Sequence, residues 1–177
     1  MSKKSTDTQD MIDFLPVKNE QDFKTTEDLA RTIWSEHYTP IIGPEQVSYM
    51  LDKFQSASAI KEQVQNGMEY YLVVKDGKAV GYTGFKWRDD ELFLSKLYIL
   101  SSQRGQKLGK KSLSFIYSKA EEAGVKQITL TVNKFNTIAI SAYKKIGYKI
   151  VRPIIQDIGH GFIMDDYLMS KELQSEE

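Results

Sequence analysis

The sequence contains no cysteine and only two histidines, and these scarcities exclude several kinds of chemistry. Without cysteine, the chain forms no disulfide, offers no thiolate nucleophile and provides no cysteine ligand to a metal. His37 and His160 are far apart and have no HExxH-like spacing, so we expect no metal site. No apolar run approaches the roughly 18 residues of a membrane span, and the N-terminal segment is polar. We therefore expect a cytoplasmic protein without a membrane segment.

The chain also lacks a net charge, which argues against nucleic-acid binding. Its 24 Lys and Arg residues balance 24 Asp and Glu residues, whereas a nucleic-acid-binding domain usually has a basic excess. The two halves differ, however. Residues 1–95 hold 11 basic and 16 acidic groups (net −5), and residues 96–177 hold 13 and 8 (net +5). Either the charges segregate by chance, or the two halves serve two unlike partners, one cationic and one anionic.

A length of 177 residues with 41% hydrophobic residues suits one globular domain. We predict a disordered tail over residues 1–10 and a single domain over residues 11–174. The first helix is expected to end before Pro40, and a second one to begin at Pro44. Hydrophobic periodicity and turn residues predict the order β-αα-β-β-β-α-β-α-β-β. The predicted strands are 11–17, 70–74, 79–87, 92–100, 127–132, 148–158 and 162–173, and the longer later helices are 108–123 and 136–146.

A basic, glycine-containing loop at residues 103–110 joins a predicted strand to a predicted helix. The free N–H groups and positive dipole end of such a helix start attract anions, and Gly105 and Gly109 allow a ligand to approach the backbone. Five basic residues and no acid lie between Gln103 and Ala120. The loop has neither the P-loop nor the GxGxxG spacing. It is therefore either a phosphate site of another kind or an ordinary connection whose basic residues serve solubility.

A second motif follows at Asn133 and Asn136, where a capped helix leads to Gly147-Tyr148. With both motifs in these elements, the sequence resembles the GCN5-related N-acetyltransferase (GNAT) superfamily. That family carries an [RQ]xxGx[GA] loop and an NxxAxxxYxxxGF-like helix. The resemblance is best over residues 79–148. Lys107 replaces the usual loop glycine, and its N–H can serve the same role if its φ is negative.

The resemblance implies a fold and a cofactor. The fold is α/β (α+β), a GNAT-like mixed and mostly antiparallel twisted sheet of about seven strands. About four helices accompany it, and the sheet is splayed between the fourth and fifth strands. The cofactor is acetyl-CoA (coenzyme A). Homodimers are common in the family, so a homodimer is a further expectation.

The resemblance also assigns residues to the cofactor. The loop would hold the pyrophosphate, the strand before it would pair with the pantetheine arm, and the two asparagines would contact that arm. Tyr143 would donate a proton to the departing thiolate, although it could instead be a core aromatic at helical spacing from Ala139. The cofactor-binding residues implied are Leu97, Tyr98, Ile99, Arg104, Gly105, Gln106, Lys107, Leu108, Gly109, Lys110, Asn133, Asn136 and Tyr143.

The acceptor side is less defined. Relatives supply a carboxylate on the strand before the loop, but this chain reads Phe-Leu-Ser-Lys there, so the base is unassigned and Glu91 or a water chain could replace it. Direct transfer is expected, since no cysteine can form an acyl-enzyme. His37 and His160 could each act as a base near pH 7, and Asp165 and Asp166 could reach a substrate ammonium. We interpret the histidines as structural or surface residues and the two acids as solvated residues of a hairpin.

The helices after the first strand usually wall the acceptor pocket in this family, and here they carry aromatic and acidic residues. Such a wall suits a cationic amine, and residues 33–84 loosely resemble polyamine (spermidine/spermine) acetyltransferases. The same residues could instead pack in the core. A small polyamine or diamine is the leading acceptor, with a protein N-terminus or lysine, or CoA binding without catalysis, as alternatives. The candidate acceptor-binding residues are Trp34, Tyr38, Glu45, Tyr49 and Glu91.

Overall fold

The computed structural model describes residues 11–173. The predicted tail at residues 1–10 and the last residue of the predicted domain lie outside the described residues. A short 3₁₀ turn (Ser101–Gln103) follows the fourth strand. The elements are β1 (Ile12–Pro16), α1 (Glu20–Ile42), α2 (Pro44–Phe54), α3 (Ala57–Gln65), β2 (Glu69–Lys75), β3 (Lys78–Arg88), β4 (Glu91–Ile99), α4 (Leu108–Ala123), β5 (Gln127–Asn133), α5 (Thr137–Lys145), β6 (Lys149–Gly159) and β7 (Phe162–Glu172).

Helix α1 is longer than the sequence predicts. It begins at a capping box between Asn19 and Asp22 and continues through Pro40 to Ile42. Pro40 lies in the last turn, so it removes only one hydrogen bond near an end where few bonds remain. The N–H of Gly43 then donates to the Thr39 carbonyl (3.0 Å) and closes the helix. The extension carries two further side chains, at positions 37 and 38, into the centre of the molecule.

The seven strands form one mixed sheet in the order β1-β2-β3-β4-β5-β7-β6. Every neighbouring pair is antiparallel except β4 and β5, which are parallel. These two strands pair only over Glu91–Leu94 and Gln127–Leu130. The predicted splay between the fourth and fifth strands is confirmed.

An irregularity in β4 lies where the two strands separate. Phe85 of β3 faces Leu94 of β4, but the preceding residue Gly84 faces Lys96, so Ser95 is an extra residue on β4. A bulge of this kind bends its strand and redirects the side chains beyond it. After Leu94, β4 therefore keeps β3 as its neighbour and leaves β5.

Helices cover both faces of the sheet. One buried cluster joins α1–α3 to the sheet and includes Phe23 and Trp34. A second joins α4 and α5 to the opposite face and includes Ile116 and Tyr148. The predicted architecture is confirmed, with five α-helices among the described residues because α3 forms a helix of its own. Within residues 11–173, no helix combines the length and apolar character needed to cross a bilayer.

Candidate active site

A cavity of about 780 Å³ opens where β4 and β5 separate. Its size lies within the range of small-molecule sites, roughly 300–1,000 Å³. Side chains from α1, α2, α5 and strands β3 to β7 form its wall. The predicted site residues in that wall are Trp34, Tyr38, Glu91, Leu97, Tyr98, Ile99, Arg104, Asn133, Asn136 and Tyr143.

The basic loop lies at the start of α4, and apart from Arg104 its residues are outside this wall. They are exposed except Leu108, which is buried against Val73 and Val80, and Gln103 and Gly109, which are half-buried. Within residues 11–173, no acceptor is found for the backbone N–H groups of residues 105–110. Added Cβ atoms at Gly105 or Gly109 would meet nothing within 4 Å. The loop is thus an open row of unpaired donors at a helix N-terminus.

Lys107 does not have the negative φ on which the sequence interpretation depended. Its φ is +59°, and it caps α4 in the left-handed conformation. A glycine adopts this conformation without steric cost, whereas a residue with a Cβ atom does not. The backbone at position 107 therefore has a conformation that glycine adopts more readily than lysine.

Asn136 links α5 to α1. Its side-chain oxygen accepts a hydrogen bond from the N–H of Ala139 (3.4 Å), and its Nδ2 lies 3.1 Å from His37 Nε2. Because an amide nitrogen only donates, Nε2 must be the acceptor, and the imidazole is neutral. Burial, together with the Arg104 charge, lowers the pKa of His37. His37 was set aside as structural, but it lines the cavity and holds Asn136 in place.

Tyr143 packs against another aromatic ring and also lines the cavity. Its ring packs edge-to-face on Tyr148 with a centroid distance of 5.2 Å. Its hydroxyl makes no hydrogen bond to any residue that the structure describes, and the side chain lines the cavity. Burial, with smaller contributions from Tyr38 and Tyr117, raises its pKa to about 12. The hydroxyl is therefore protonated at neutral pH and open to the cavity.

The polar groups of the aromatic wall form hydrogen bonds within the protein. Trp34 is buried, and its indole N–H donates to the Tyr82 hydroxyl (3.0 Å). The hydroxyls of Tyr38 and Tyr98 are 2.9 Å apart and bond to each other. These polar groups are already satisfied inside the protein, so the wall offers a ligand mainly aromatic surface.

Two of the candidate acceptor residues lie outside the cavity wall. The Tyr49 hydroxyl donates to the Ile158 carbonyl, and its ring contacts Phe162 at 5.3 Å. Glu45 is exposed in the first turn of α2. Tyr49 thus supports the β6–β7 hairpin, because α2 turns that side chain away from the cavity.

Asp166 is a functional candidate that the sequence interpretation missed. It is only 6% exposed, lies opposite Asn133 in the β5–β7 ladder and lines the cavity. Asp165, its neighbour, forms an ion pair with Lys134 (2.7 Å). Burial first, and Asp165 second, raise the pKa of Asp166 to about 6. Successive strand residues face opposite sides of a sheet, so the sequence pair itself indicated that one acid points inward.

Glu91 is a weaker candidate for the base. It lines the cavity at the closed end, where β4 and β5 are still paired, and its carboxylate accepts a long 3.5 Å hydrogen bond from Gln127.

The model of the Acetyltransferase (GNAT) family matches residues 27–148, which is more than half of the chain. The chain belongs to this family. Its members transfer an acetyl group from acetyl-CoA, so the predictions of family, enzyme class and cofactor are confirmed.

Curated relatives of this acetyltransferase carry related names. An uncharacterized N-acetyltransferase of Mycobacterium tuberculosis is 29% identical over 136 residues, covering 76% of this chain and 86% of the relative. The spermidine N(1)-acetyltransferase of Thermoplasma acidophilum is 23% identical and covers 73% and 84%. The D-amino-acid N-acetyltransferase of Saccharomyces cerevisiae is 26% identical over 90 residues and covers 48% and 56%.

A solved structure shares the fold of this acetyltransferase. The PaiA N-acetyltransferase of Thermoplasma acidophilum, solved in complex with coenzyme A, has a TM-score of 0.75 at 20% identity. The alignment covers 92% of this chain and 99% of that one. At this identity the likeness establishes the fold alone.

Lys96 is a second residue of the acetyltransferase cavity that sequence reasoning missed. It follows the bulge in β4, and its ammonium donates to the Ser95 hydroxyl (2.9 Å). Burial, with the nearby Lys86 charge, lowers its pKa to about 8. No signal in the sequence marks it, because only the bulge and the sheet pairing bring it to the cavity.

Proposed function

We propose that the protein transfers the acetyl group of acetyl-CoA directly to a small primary amine. The proposal rests chiefly on one observation. A single cavity at the splayed strands exposes both a protonated hydroxyl, Tyr143, and a carboxylate, Asp166. Neither side chain has a hydrogen-bond partner within the described part of the chain. The two groups that an amide-forming transfer needs, a base and an acid, therefore face one space.

The chain offers separate features for each part of the donor molecule. The unpaired N–H groups of residues 105–110 and the dipole of α4 suit the pyrophosphate. Beyond Leu94, the edge of β4 that faces β5 is unpaired, so the backbone of residues 97–99 is free to bond the pantetheine amides. Asn133 and Asn136 lie on the other side of the gap between β4 and β5. These assignments explain why the loop lies outside the cavity while the strand residues line it.

In this scheme, Asp166 acts as the base. An alkylammonium has no lone pair, so one proton must leave the nitrogen before it attacks. A carboxylate with a pKa of about 6 is ionised at neutral pH, and it is a stronger base than an ordinary aspartate. Once the proton is on Asp166, the nitrogen lone pair attacks the thioester carbon, and the carbonyl π pair moves to oxygen.

Tyr143 acts as the acid in the second half of the reaction. The carbonyl re-forms, the C–S bond breaks, and the bonding pair leaves with sulfur. The Tyr143 hydroxyl protonates that sulfur, and the nitrogen loses its second proton to water as the amide forms. Water returns a proton to the Tyr143 oxygen, and Asp166 releases the first proton to solvent. The products are the acetamide and the coenzyme thiol, with a net release of one proton.

The acceptor itself remains a prediction. The Thermoplasma relative supports a polyamine, whereas the yeast relative supports an amino acid. The alternative of CoA binding without catalysis depends on the absence of an acid between Phe93 and Lys96 of β4. Asp166, from β7, supplies a carboxylate at the same cavity, which favours the enzyme.

The test is to incubate the protein with acetyl-CoA and a panel of primary amines and to measure release of the coenzyme thiol. We expect thiol release with at least one class of small amine, together with one acetylated amine for each thiol. Tight binding of coenzyme A with no thiol release from any amine would contradict the proposal. A peptide amine preferred over every small amine would favour the protein-modifying alternative.

Cytoplasmic location and a homodimer also remain predictions. Size-exclusion chromatography with light scattering measures the oligomeric state directly, and cell fractionation measures the location.

A further inference from the structure

The lining of the cavity carries more cations than anions. Strands β3 and β4 contribute three cationic side chains, Lys86, Arg88 and Lys96, and β6 contributes Arg152. The acids of the whole lining are Glu91 and Asp166. This excess of cationic over acidic side chains is the opposite of what a polycation-binding site needs.

The sheet register brings the β3 and β4 cations together. Lys86 lies opposite Phe93, and Arg88 lies opposite Glu91. Both cations lie over the Phe93 ring. The Arg88 guanidinium carbon is 4.0 Å and the Lys86 ammonium is 5.7 Å from the ring centroid. Burial first, and the nearby Arg88 charge second, lower the pKa of Lys86.

Lys96 extends this group into the cavity. Its ammonium lies 5.8 Å from the centroid of the Tyr70 ring and bonds Ser95. None of these three cations forms an ion pair with an acid among residues 11–173. Three neighbouring cations without an acidic partner repel one another, so an added anion would be stabilised there.

An unpaired hydroxyl lies beside the same group. The Thr129 Oγ1 is buried and has no hydrogen-bond partner among the described residues. Thr129 is the β5 partner of Phe93 and lines the cavity. A buried hydroxyl without a partner is costly, and a carboxylate oxygen would accept its hydrogen bond.

We propose that the acceptor is a small primary amine that also carries a carboxylate, and that Lys86, Arg88 and Lys96 bind this carboxylate. This proposal rests on the proposed acetyl transfer, since it names the acceptor class of that same cavity. Thr129 donates to the bound carboxylate, and the amine end lies toward Asp166 on the opposite wall. A diamine of the same length would instead place a second cation against the three cations.

The test uses three amines of equal length that differ only at the far end. They are β-alanine, β-alaninamide and 1,3-diaminopropane, and the glycine and 4-aminobutyrate series extend the comparison to other spacings. Thiol release from acetyl-CoA gives kcat and KM for each. We expect kcat/KM for the carboxylate to exceed that for the amide and the diamine at least tenfold at the best spacing.

Variants connect this preference to the cations. Lys96→Met and, separately, Arg88→Gln are expected to raise KM for the carboxylate about tenfold or more, while kcat/KM for the amide stays within about twofold. Lys78→Met removes the same charge from the exposed β2–β3 turn and is the control. Binding of coenzyme A checks that each variant is folded, and Arg88→Gln serves if Lys96→Met does not fold.

The outcomes are distinct. A carboxylate preference that Lys96→Met or Arg88→Gln abolishes, and that Lys78→Met preserves, supports the proposal. A preference for diamines, or one that all three variants leave unchanged, overturns it while acetyl transfer itself stands. Absence of thiol release with every amine, with coenzyme A still bound, overturns the proposed function and this proposal together.

Discussion

At the scale of single residues, the site depends on ionisable side chains that are buried in the cavity wall. Tyr143, Asp166 and Lys96 each carry a pKa displaced by burial, to about 12, about 6 and about 8 respectively. At neutral pH the shifts of Asp166 and Lys96 make the folded state less stable than it would be with neutral side chains of similar shape, whereas Tyr143 is neutral in the folded and the unfolded state alike. Groups kept at this cost commonly belong to a functional site.

Replacing Tyr143 by phenylalanine removes the acid and keeps the ring. We expect kcat to fall about 100-fold, with little change in KM for acetyl-CoA, because the contact with Tyr148 remains. Steady-state thiol release measures both constants. Tyr117→Phe is the control. It loses a hydrogen bond to the Tyr148 hydroxyl (3.1 Å) but lies outside the cavity wall, so its kcat is expected to stay near the wild-type value. Equal losses in the two variants would contradict the assignment.

Replacing Asp166 by asparagine is expected to separate activity from stability. Turnover at pH 7 falls about 100-fold because the base is lost. The wild-type rate itself declines as pH falls through about 6, where Asp166 takes up a proton. Asp165→Asn, which breaks the ion pair with Lys134, is the matched control and is expected to retain activity.

The Asp166→Asn substitution is also expected to change the unfolding free energy in a definite direction. The pKa of Asp166 is raised in the folded protein, so folding favours the protonated form and ionisation destabilises the wild type as pH rises from about 4 to about 6. Asp166→Asn should gain about 1–3 kcal/mol in unfolding free energy at pH 7 and little at pH 3.5. Urea unfolding at the two pH values measures this. A loss at pH 7 would mean that the carboxylate stabilises the fold.

At the scale of elements, the start of α4 combines an open row of N–H groups with a strained residue. Lys107 holds φ at +59° without a side-chain cap. A left-handed residue with a Cβ atom costs roughly 1 kcal/mol. Lys107→Gly is therefore expected to raise the unfolding free energy by about 0.5–1 kcal/mol. Gln106→Gly, at a neighbouring loop position without positive φ, is the control and should give no gain. Chemical denaturation of both variants measures these changes in unfolding free energy.

The start of α5 depends on one side chain with two contacts. Asn136→Ala removes both the cap to Ala139 and the contact with His37. We expect a loss of about 1 kcal/mol in stability and a higher KM for acetyl-CoA. Asn136→Ser restores the cap alone, so it should recover most of the stability and leave KM raised. Recovery of KM as well would show that only the cap matters.

At the scale of the whole molecule, the predictable part of the site is its local part. The 103–110 loop and the helix start capped by Asn136 are each a short, continuous stretch of sequence. Their motifs therefore indicated the family and the cofactor. Asp166 and Lys96 reach the cavity only through long-range sheet pairing, a bulge and the splay of β4 from β5, and no local pattern predicts that these features face one cavity. The length of α1 was underestimated because Pro40 is tolerated within its last turn.

The opposed charges of the two halves take on a different meaning in the folded molecule. The basic half does contain the loop with its unpaired N–H groups. The acidic half does not supply an acidic acceptor wall, because Glu45 is exposed outside the cavity while Lys86 and Arg88 line it. Net charge along the sequence therefore does not predict the charge of the cavity.

In the proposed reaction, Asp166 and Tyr143 act together in one cavity on an amine and acetyl-CoA. The most direct measurement compares the wild type with the Asp166→Asn/Tyr143→Phe double variant by following acetylated amine and free thiol together. We predict one acetylamine per thiol for the wild type, and at least a 100-fold lower rate for the double variant at unchanged coenzyme A affinity. Wild-type turnover in the double variant would contradict the account.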